Sequence, residues 1–314
     1  MKLRLRSVTS ESLHDYFKVD RPTLENILNR PQRYYRPFSI EKHGKRRTIC
    51  PPIYPLKNIQ RALLKGLYEQ VQWLGCLHGG IPGRSIITNA RHHLGQYLVA
   101  TYDISNFFPS TTDNMVRDCF TSIKFDSNLV EVLTKLVTLD GSLPQGAPTS
   151  MAVANLVLRP ADLRLLKLCK KHGLNYTRYV DDLAISGMKD FRDLTQAICS
   201  NIEMVGHRLN QTKVHFSFSH QRQVVTGLVV NRVLSPTSSF ISESKELIWR
   251  CRTEDPASVA DDQGLSLGQL KQSIEGRVRY LRSVNPKKGR RLRSLLVGIS
   301  WKESPVHSSE MTPA

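Results

Sequence analysis

The chain has 314 residues, of which 40% are apolar, enough for one large domain or two to three modules around a sizeable core. Its formal net charge of +18 favours a polyanionic partner. The sequence has no signal-peptide pattern, no apolar run of the roughly 18 residues that span a membrane and no Cys-x-x-Cys pair among its six cysteines, so we expect a cytoplasmic protein without a membrane partner or a zinc site.

The first 30 residues have helical spacing and are predicted to form a helical extension. Two short strands then follow, over residues 35–41 and 45–50, and predict a hairpin around His43-Gly44. The return strand carries Lys45, Arg46 and Arg47, which suit a triphosphate. An edge strand kept soluble by its charges is an equally good interpretation of these three residues.

A strand over residues 97–102 leads directly into Asp103, and Phe107, Phe108 and Pro109 follow. An acid at the end of a buried strand is not a general surface pattern. Further along, the Gly/Pro-rich loop over residues 142–150 contains Gln145 and precedes a predicted helix over residues 151–172, capped by Thr149 or Ser150. A loop that runs into a helix N-terminus suits a nucleotide pocket.

Two adjacent acids, Asp181 and Asp182, lie between two apolar, β-prone runs, which predicts a hairpin with both acids at its turn. Most Asp-Asp pairs are solvated turns, but two carboxylates at one point also suit Mg²⁺. If the strand that ends at Asp103 lies beside this hairpin, the three acids form one metal cluster. Lys213, farther along the chain, is either a proton donor or a solvated lysine.

The C-terminal region is strongly basic, with ten Lys or Arg residues and only one acid, Glu275, between residues 271 and 302. Apolar residues such as Leu270, Ile274 and Val278 lie on the other face of the predicted helices. A helix with one core face and one basic face suits contact with a nucleic-acid backbone. Residues 303–314 are rich in Ser, Pro and Thr and are predicted to form a flexible tail.

Taken in order, these motifs resemble those of reverse transcriptases from about residue 30 to about residue 300. They are an acid after a strand, a Pro-Gln-Gly loop, Tyr-Val-Asp-Asp, a Gly…Asn-x-x-Lys segment and a basic helical C-terminus. Asn89-Ala90-Arg91-His92-His93 and Val225-Thr226-Gly227 are similar to two short elements of the bacterial retron branch. Val180 departs from that branch, where Ala is commoner, but the two acids are kept.

The resemblance implies an α+β right-hand polymerase fold with fingers, a palm of antiparallel sheet plus helices, and a helical thumb. The N-terminal extension would cover residues 1–30, and the fingers and a motif-bearing palm insert residues 31–96 and 111–160. The palm would cover residues 97–110 and 161–235, the thumb residues 236–302 and the tail residues 303–314.

The resemblance also implies roles for individual residues. Two Mg²⁺ ions would be held by the acids and by one backbone carbonyl, from Asp103, Ile104, Asp181 and Asp182. The nucleotide would contact Lys45, Arg47, Phe108, Gln145 and Lys213, with Phe108 as a steric gate against a ribose 2′-OH. RNA would contact Asn89, His93, Val225, Thr226, Gly227, Arg290, Arg291 and Arg293.

The implied activity is RNA-directed DNA polymerisation in a retron. A structured non-coding RNA would be both primer and template, dNTPs would be added from the 2′-OH of an internal guanosine, and the product would be a branched RNA–DNA hybrid (msDNA). A cellular RNase H would trim the product, and a toxin-like effector protein would be a partner in phage defence. The alternatives are an intron-maturase relative, an abortive-infection enzyme or a non-catalytic RNA-binding scaffold; the last would tolerate loss of the acids, and all three are present.

Overall fold

A computed structural model describes residues 12–42 and 44–301, which form two compact units divided between Thr226 and Gly227. Each unit has its own apolar core. The predicted tail and His43 lie outside the described residues. No helix within the described ranges carries an apolar run long enough to cross a membrane.

The first unit contains the described residues of the predicted extension and fingers and almost all of the predicted palm. Its helices are α1 (Leu13–Phe17), α2 (Arg21–Asn29), α3 (Leu56–Gln70), α4 (Ile86–Arg91), α5 (Phe107–Ser110), α6 (Asp113–Ser122), α7 (Ser127–Val137), α8 (Ser150–Val157), α9 (Arg159–His172) and α10 (Thr195–Glu203). Its strands are β1 (Phe38–Lys42), β2 (Lys45–Ile49), β3 (Leu98–Asp103), β4 (Asn175–Tyr179), β5 (Asp182–Gly187), β6 (His215–Phe218) and β7 (Val224–Val225).

An antiparallel sheet with the strand order β4-β5-β3-β6 forms the centre of this unit. Its two middle strands are buried over most of their length, as their nearly continuous apolar sequences require. The register places Asp103 directly opposite Asp182. The predicted proximity of the strand that ends at Asp103 to the Asp-Asp hairpin is therefore confirmed.

The hairpin β1–β2 is paired along its whole length and is joined at its base to the Pro-Gln-Gly loop. The amide of Cys50 donates a hydrogen bond of 2.7 Å to the carbonyl of Gln145. The next residue, Gly146, has φ +99°, and a Cβ there would lie 2.6 Å from Cγ2 of Ile49. Glycine is required here because a side chain would be strained and would also overlap β2.

The single helix predicted over residues 151–172 is instead two helices, α8 and α9, which meet at Leu158. Pro160 lacks an N–H and is accommodated in the first turn of α9, which explains the break. Thr149 is the N-cap residue of α8, one of the two predicted choices, but its side chain makes no capping bond. The hydroxyl of Ser150 donates instead to the carbonyl of Pro144, 2.6 Å away, and ties the start of α8 to the loop before it.

The second unit consists mainly of helices, α11 (Ser238–Thr253), α12 (Pro256–Asp262), α13 (Leu267–Val284) and α14 (Pro286–Ser294), with the short strands β8 (Leu228–Val229) and β9 (Ser235–Pro236). The predicted apolar face of α13 is buried in the core of this unit, at Leu270, Ile274, Val278 and Leu281. Helix α14 crosses α13 closely at Gly289, where a Cβ would lie 2.3 Å from Cα of Arg282.

Candidate active site

The β4–β5 hairpin carries an acidic turn, which consists of Val180 and Asp181. Asp182 is the first residue of β5, and Asp103 is the last residue of β3 beside it. Antiparallel pairing therefore brings all three acids to one edge of the sheet, although they are far apart in sequence.

Backbone hydrogen bonds fix the positions of two of these acids. The amide of Ile104 donates to the carbonyl of Asp181 at 3.1 Å, and the amide of Asn210 donates to the carbonyl of Asp103 at 2.7 Å. A further bond of 2.9 Å runs from the amide of Ser105 to the carbonyl of Arg208. The segment before Lys213 thus lies beside the residues that follow β3.

The three carboxylates repel one another in a partly buried setting. Burial, followed by the charges of Asp181 and Asp103, raises the pKa of Asp182 to about 6. Burial is also the largest cause of the raised pKa of Asp181, with Asp103 adding to it and Lys213 and Arg47 opposing it. Asp103 itself forms an ion pair with Lys213, whose Nζ lies 2.7 Å from its Oδ2. A cation at this edge would relieve the repulsion.

A cavity of about 670 Å³ opens beside the acids and is large enough for a small-molecule ligand. It brings together Asp103, Ile104 and Asp181 with four predicted nucleotide-binding residues, namely Arg47, Phe108, Gln145 and Lys213. Arg46 lines it too, as do Asn210, Asp140 and Cys50, which the sequence did not single out as ligands. Lys45 is the first residue of β2, and its side chain lies outside the described part of the chain.

The chemistry of the donors fits a hard cation, since they are carboxylate oxygens with a backbone carbonyl nearby. Within residues 12–42 and 44–301, no three His, Cys, Asp or Glu side chains are gathered closely enough to hold an ion as they stand. Asp103 is directed to Lys213 instead. An ion held by both Asp103 and Asp181 would therefore have to compete with the ammonium group of Lys213 for Asp103.

The structure corrects the prediction that His93 contacts RNA. His93 is completely buried, with Nδ1 2.7 Å from Oγ of Ser186 and Nε2 2.7 Å from Oγ1 of Thr177. Burial lowers the pKa of its imidazole to about 3, so the ring is neutral. Because both ring nitrogens are used between β4 and β5, His93 supports the sheet and has no surface to offer RNA.

Two of the other retron-like positions in the first unit, Asn89 and Thr226, contact each other. Nδ2 of Asn89 donates to Oγ1 of Thr226 at 3.3 Å, and Oγ1 of Thr226 donates to the carbonyl of Ile86 at 3.4 Å. Asn89 and Val225 are buried, so they are also corrected from contact residues to supports. Thr226, which is partly exposed, and Gly227, which is exposed, remain available for contact.

In the second unit, α14 carries Arg290, Arg291 and Arg293, and all three are exposed. Within the part of the chain that the structure describes, none of them forms an ion pair. Their charges are therefore available to phosphates, as the sequence predicts.

One buried charge beside the acidic turn, that of Arg178, is not indicated by any of the motifs, and it pairs with Asp162. A signal for this pair was present in the helical spacing. Asp162 lies on the same face of α9 as Ala161, Leu165 and Cys169, all of which are buried. An acid on an apolar helix face requires a buried partner.

The sequence model of the family described as reverse transcriptase (RNA-dependent DNA polymerase) matches residues 40–246. Retron Ec86 reverse transcriptase of Escherichia coli is 33% identical over 240 residues, which cover 73% of this chain and 75% of that protein. Retron Se72 reverse transcriptase of Salmonella heidelberg is 33% identical over 231 residues, which cover 70% of this chain and 61% of that protein.

Among solved structures, apo telomerase from Candida tropicalis is similar with a TM-score of 0.50. The match covers 86% of this chain and 58% of that chain, at 11% sequence identity. At this identity the likeness concerns the fold alone.

Proposed function

The chain belongs to the reverse transcriptase family and is an RNA-directed DNA polymerase, and on this premise we propose that it is the polymerase of a retron. The predicted α+β right-hand polymerase fold is confirmed. One structural observation carries the proposal most directly. Asp103 and Asp181 line the same cavity as Arg47, Gln145 and Lys213, so acids for the reacting atoms and cations for a triphosphate lie together.

The proposed substrate is a structured non-coding RNA that is both primer and template. The similarity of the chain to enzymes named after retrons supports this choice over an intron-maturase or abortive-infection enzyme. The product would be the branched RNA–DNA hybrid msDNA, started from a guanosine 2′-OH, extended with dNTPs and trimmed by a cellular RNase H. A toxin-like effector would complete an anti-phage system, and the reaction would take place in the cytoplasm.

Enzymes of this family generally use divalent metal ions, and we assign two Mg²⁺ to this site. Asp103 and Asp181 would hold them, with support from Asp182 and the carbonyl of Ile104. Such ions, when bound, lower the pKa of a primer hydroxyl and neutralise a triphosphate. The acids of the chain would keep these two reacting groups together. When bound ions relieve the repulsion among the three carboxylates, the raised pKa of Asp182 is expected to fall.

The other residues of the cavity bind and orient the nucleotide. Arg47 lies close enough to Asp181 to lower its pKa, and we assign it to the triphosphate. Gln145 lies on the loop that joins the base of the β1–β2 hairpin and would border the base and sugar. Lys213 would give up Asp103 to an ion and donate a proton to the leaving pyrophosphate.

We also propose that the chain is divided into fingers, palm and thumb at the residues that the resemblance implies. The second unit, which begins at Gly227, includes all described residues of the proposed thumb. The first unit includes the described residues of the proposed extension, the fingers and almost all of the palm.

We expect Phe108 to exclude ribonucleotides. Its ring lines the cavity and packs on Phe107 with ring centroids 5.3 Å apart, which fixes its position. Phe108→Ala should lower the ratio of kcat/KM for dNTPs over rNTPs by at least about tenfold. Changing the size of a pocket by a small group typically alters discrimination between substrates by that factor. Phe108→Tyr keeps the ring and should keep the ratio. Unchanged discrimination in Phe108→Ala would place the gate elsewhere.

The three arginines of α14 are expected to bind the phosphates of any RNA duplex, whatever its sequence. Neutralising Arg290, Arg291 and Arg293 to Gln should weaken binding to cognate and scrambled RNA alike. It should also reduce the slope of log affinity against log salt by about one unit for each phosphate that the variant no longer neutralises.

A matched control changes Lys167, Lys170 and Lys171, which are exposed on α9, to Gln and so removes the same amount of charge. It should leave the slope nearly unchanged. Thr226→Val should behave differently and cost affinity for cognate RNA only, because specific contacts distinguish sequences and phosphate contacts do not. If Thr226→Val and the α14 variant behave identically, it is wrong to assign non-specific phosphate binding to α14 and specific RNA recognition to Thr226.

The experiment that tests the proposed function is sequencing of the nucleic acid that co-purifies with the protein. We expect one small structured RNA joined to DNA through a branched 2′ linkage. Asp181→Ala/Asp182→Ala should retain the RNA without the DNA. A linear DNA copy would favour another bacterial reverse transcriptase, and RNA without DNA in the unmodified protein would favour the scaffold.

A further inference from the structure

A buried ion pair lies directly behind the acidic turn. The guanidinium of Arg178 is completely enclosed, and Asp162 is 1% exposed. Nε of Arg178 donates to Oδ1 of Asp162 at 2.9 Å, and Nη2 donates to Oδ2 at 2.6 Å. The hydroxyl of Tyr176 donates a third bond to Asp162, at 2.7 Å. This two-pronged geometry holds the guanidinium in one orientation.

The remaining nitrogen of the guanidinium reaches the acidic turn itself. Nη1 of Arg178 donates to the carbonyl of Val180 at 2.8 Å and to Oδ1 of Asn155 at 2.9 Å. Asn155 in turn donates from Nδ2 to the carbonyl of Gly79, again at 2.9 Å. A Cβ on Gly79 would lie 2.5 Å from the amide nitrogen of Val180, so the chain at Gly79 lies against the turn.

The turn needs such support because its conformation is unfavourable for its sequence. Val180 has φ +61°, in the left-handed region that β-branched residues strongly disfavour. Two hydrogen bonds hold the peptide groups on either side of Asp181. Arg178 binds the carbonyl of Val180, and the amide of Ile104 binds the carbonyl of Asp181. Because these two bonds restrain the backbone on both sides of Asp181, its carboxylate is kept facing the cavity.

Stability alone does not explain why the pair is ionic. A buried ion pair is often no more stabilising than apolar residues of similar volume, since the charges lose their hydration. Only arginine has a planar fork that binds a carboxylate with two nitrogens and a carbonyl with the third. This pattern of bonds therefore suits a residue that holds the acidic turn at a fixed position relative to α9.

We propose that Arg178, oriented by Asp162 and Asn155, is a positioning residue that holds the strained acidic turn so that Asp181 and Asp103 bind divalent ions together. Arg178 lies behind the turn and is not a catalytic residue. The inference rests on the proposed polymerase function, but it makes a separate statement about ion binding.

The test removes both charges at once, so that no buried charge is left unpaired. The variant Arg178→Met/Asp162→Leu/Tyr176→Phe also removes the hydroxyl that would lose its acceptor. We expect it to unfold at a temperature close to that of the unmodified protein and to bind RNA with unchanged affinity. Its Kd for Mn²⁺, followed by the EPR signal of the free ion, should rise about tenfold. Its kcat should fall about a hundredfold, because small displacements of reacting groups cost that much.

Two further variants keep the result decisive. Arg178→Lys retains the charge but cannot bridge Asp162 and Val180, so it should show the same losses. It provides the test if the triple variant does not fold. The control Arg117→Met/Glu131→Leu removes an exposed ion pair between α6 and α7 and should change none of these quantities. A folded Arg178 variant with normal Mn²⁺ affinity and normal kcat would overturn the proposal. If the unmodified protein makes no DNA, the proposed function fails, and the Mn²⁺ measurement still decides the role of Arg178.

Discussion

Changing Asp181 and Asp182 together to Ala is expected to reduce DNA synthesis by several orders of magnitude. Asp181 and Asp103 line the cavity, Asp182 is adjacent to Asp181, and the reaction depends on charge stabilisation at this point. Folding should be preserved or improved, because the change removes repulsion within the cluster of three carboxylates. Primer extension with labelled dNTPs measures the loss, and a thermal unfolding curve measures stability.

The chain offers a matched control for this experiment. Asp261 and Asp262 are the other adjacent pair of aspartates in the sequence, and they are exposed at the end of α12 in the second unit. Asp261→Ala/Asp262→Ala should retain synthesis within about twofold, because exposed ion pairs such as that of Asp262 with Arg250 contribute little. Substantial DNA synthesis by the Asp181/Asp182 variant would refute the assignment of the active site.

The second large effect is expected from one methyl group at Gly79. In Gly79→Ala the new Cβ would lie 2.5 Å from both the amide nitrogen and Cγ2 of Val180, and 3.0 Å from the carbonyl carbon of Tyr179. Two of these contacts are with backbone, so the acidic turn must move. We expect kcat to fall about a hundredfold, and we expect overpacking to cost about 1–3 kcal/mol of stability.

Gly75→Ala is the control, since a Cβ at Gly75 meets no atom within 4 Å and its backbone needs no left-handed conformation. It should leave kcat and the unfolding temperature nearly unchanged. If Gly79→Ala lost stability but kept its kcat, the close approach of Gly79 would serve packing alone.

Much of this site could be predicted from the sequence because the determining signals are local. The hairpin around Asp181 follows from alternating apolar runs and a turn, and Asp103 follows from its place at the end of an apolar strand. Because β3 and the β4–β5 hairpin are neighbours in the sheet, the three acids at their ends lie close together. The cavity then gathers residues that the resemblance had assigned to the nucleotide, such as Gln145 and Lys213.

The errors arose where tertiary partners decide the outcome. The resemblance assigned His93 to RNA, but Ser186 and Thr177 satisfy its ring inside the sheet. Thr149 occupies the predicted N-cap position of α8, but the side-chain bond at that helix start is made by Ser150. The sequence next to Arg178 does not indicate that this residue is buried, and the placement of α9 behind β4 explains its burial. No local pattern specifies which buried groups will meet.

The distribution of the cysteines provides a chemical reporter of ligand occupancy. Five of the six are buried, whereas Cys50 is partly exposed and lines the cavity beside Arg47 and Gln145. Burial, followed by the charge of Asp140, raises the pKa of the Cys50 thiol, so alkylation should be slow at neutral pH and faster in mild alkali. A maleimide would therefore modify one native thiol in the folded enzyme, and a nucleotide in the cavity would shield it. Without any engineered label, the rate of this modification would report how tightly each triphosphate is held before any bond is made.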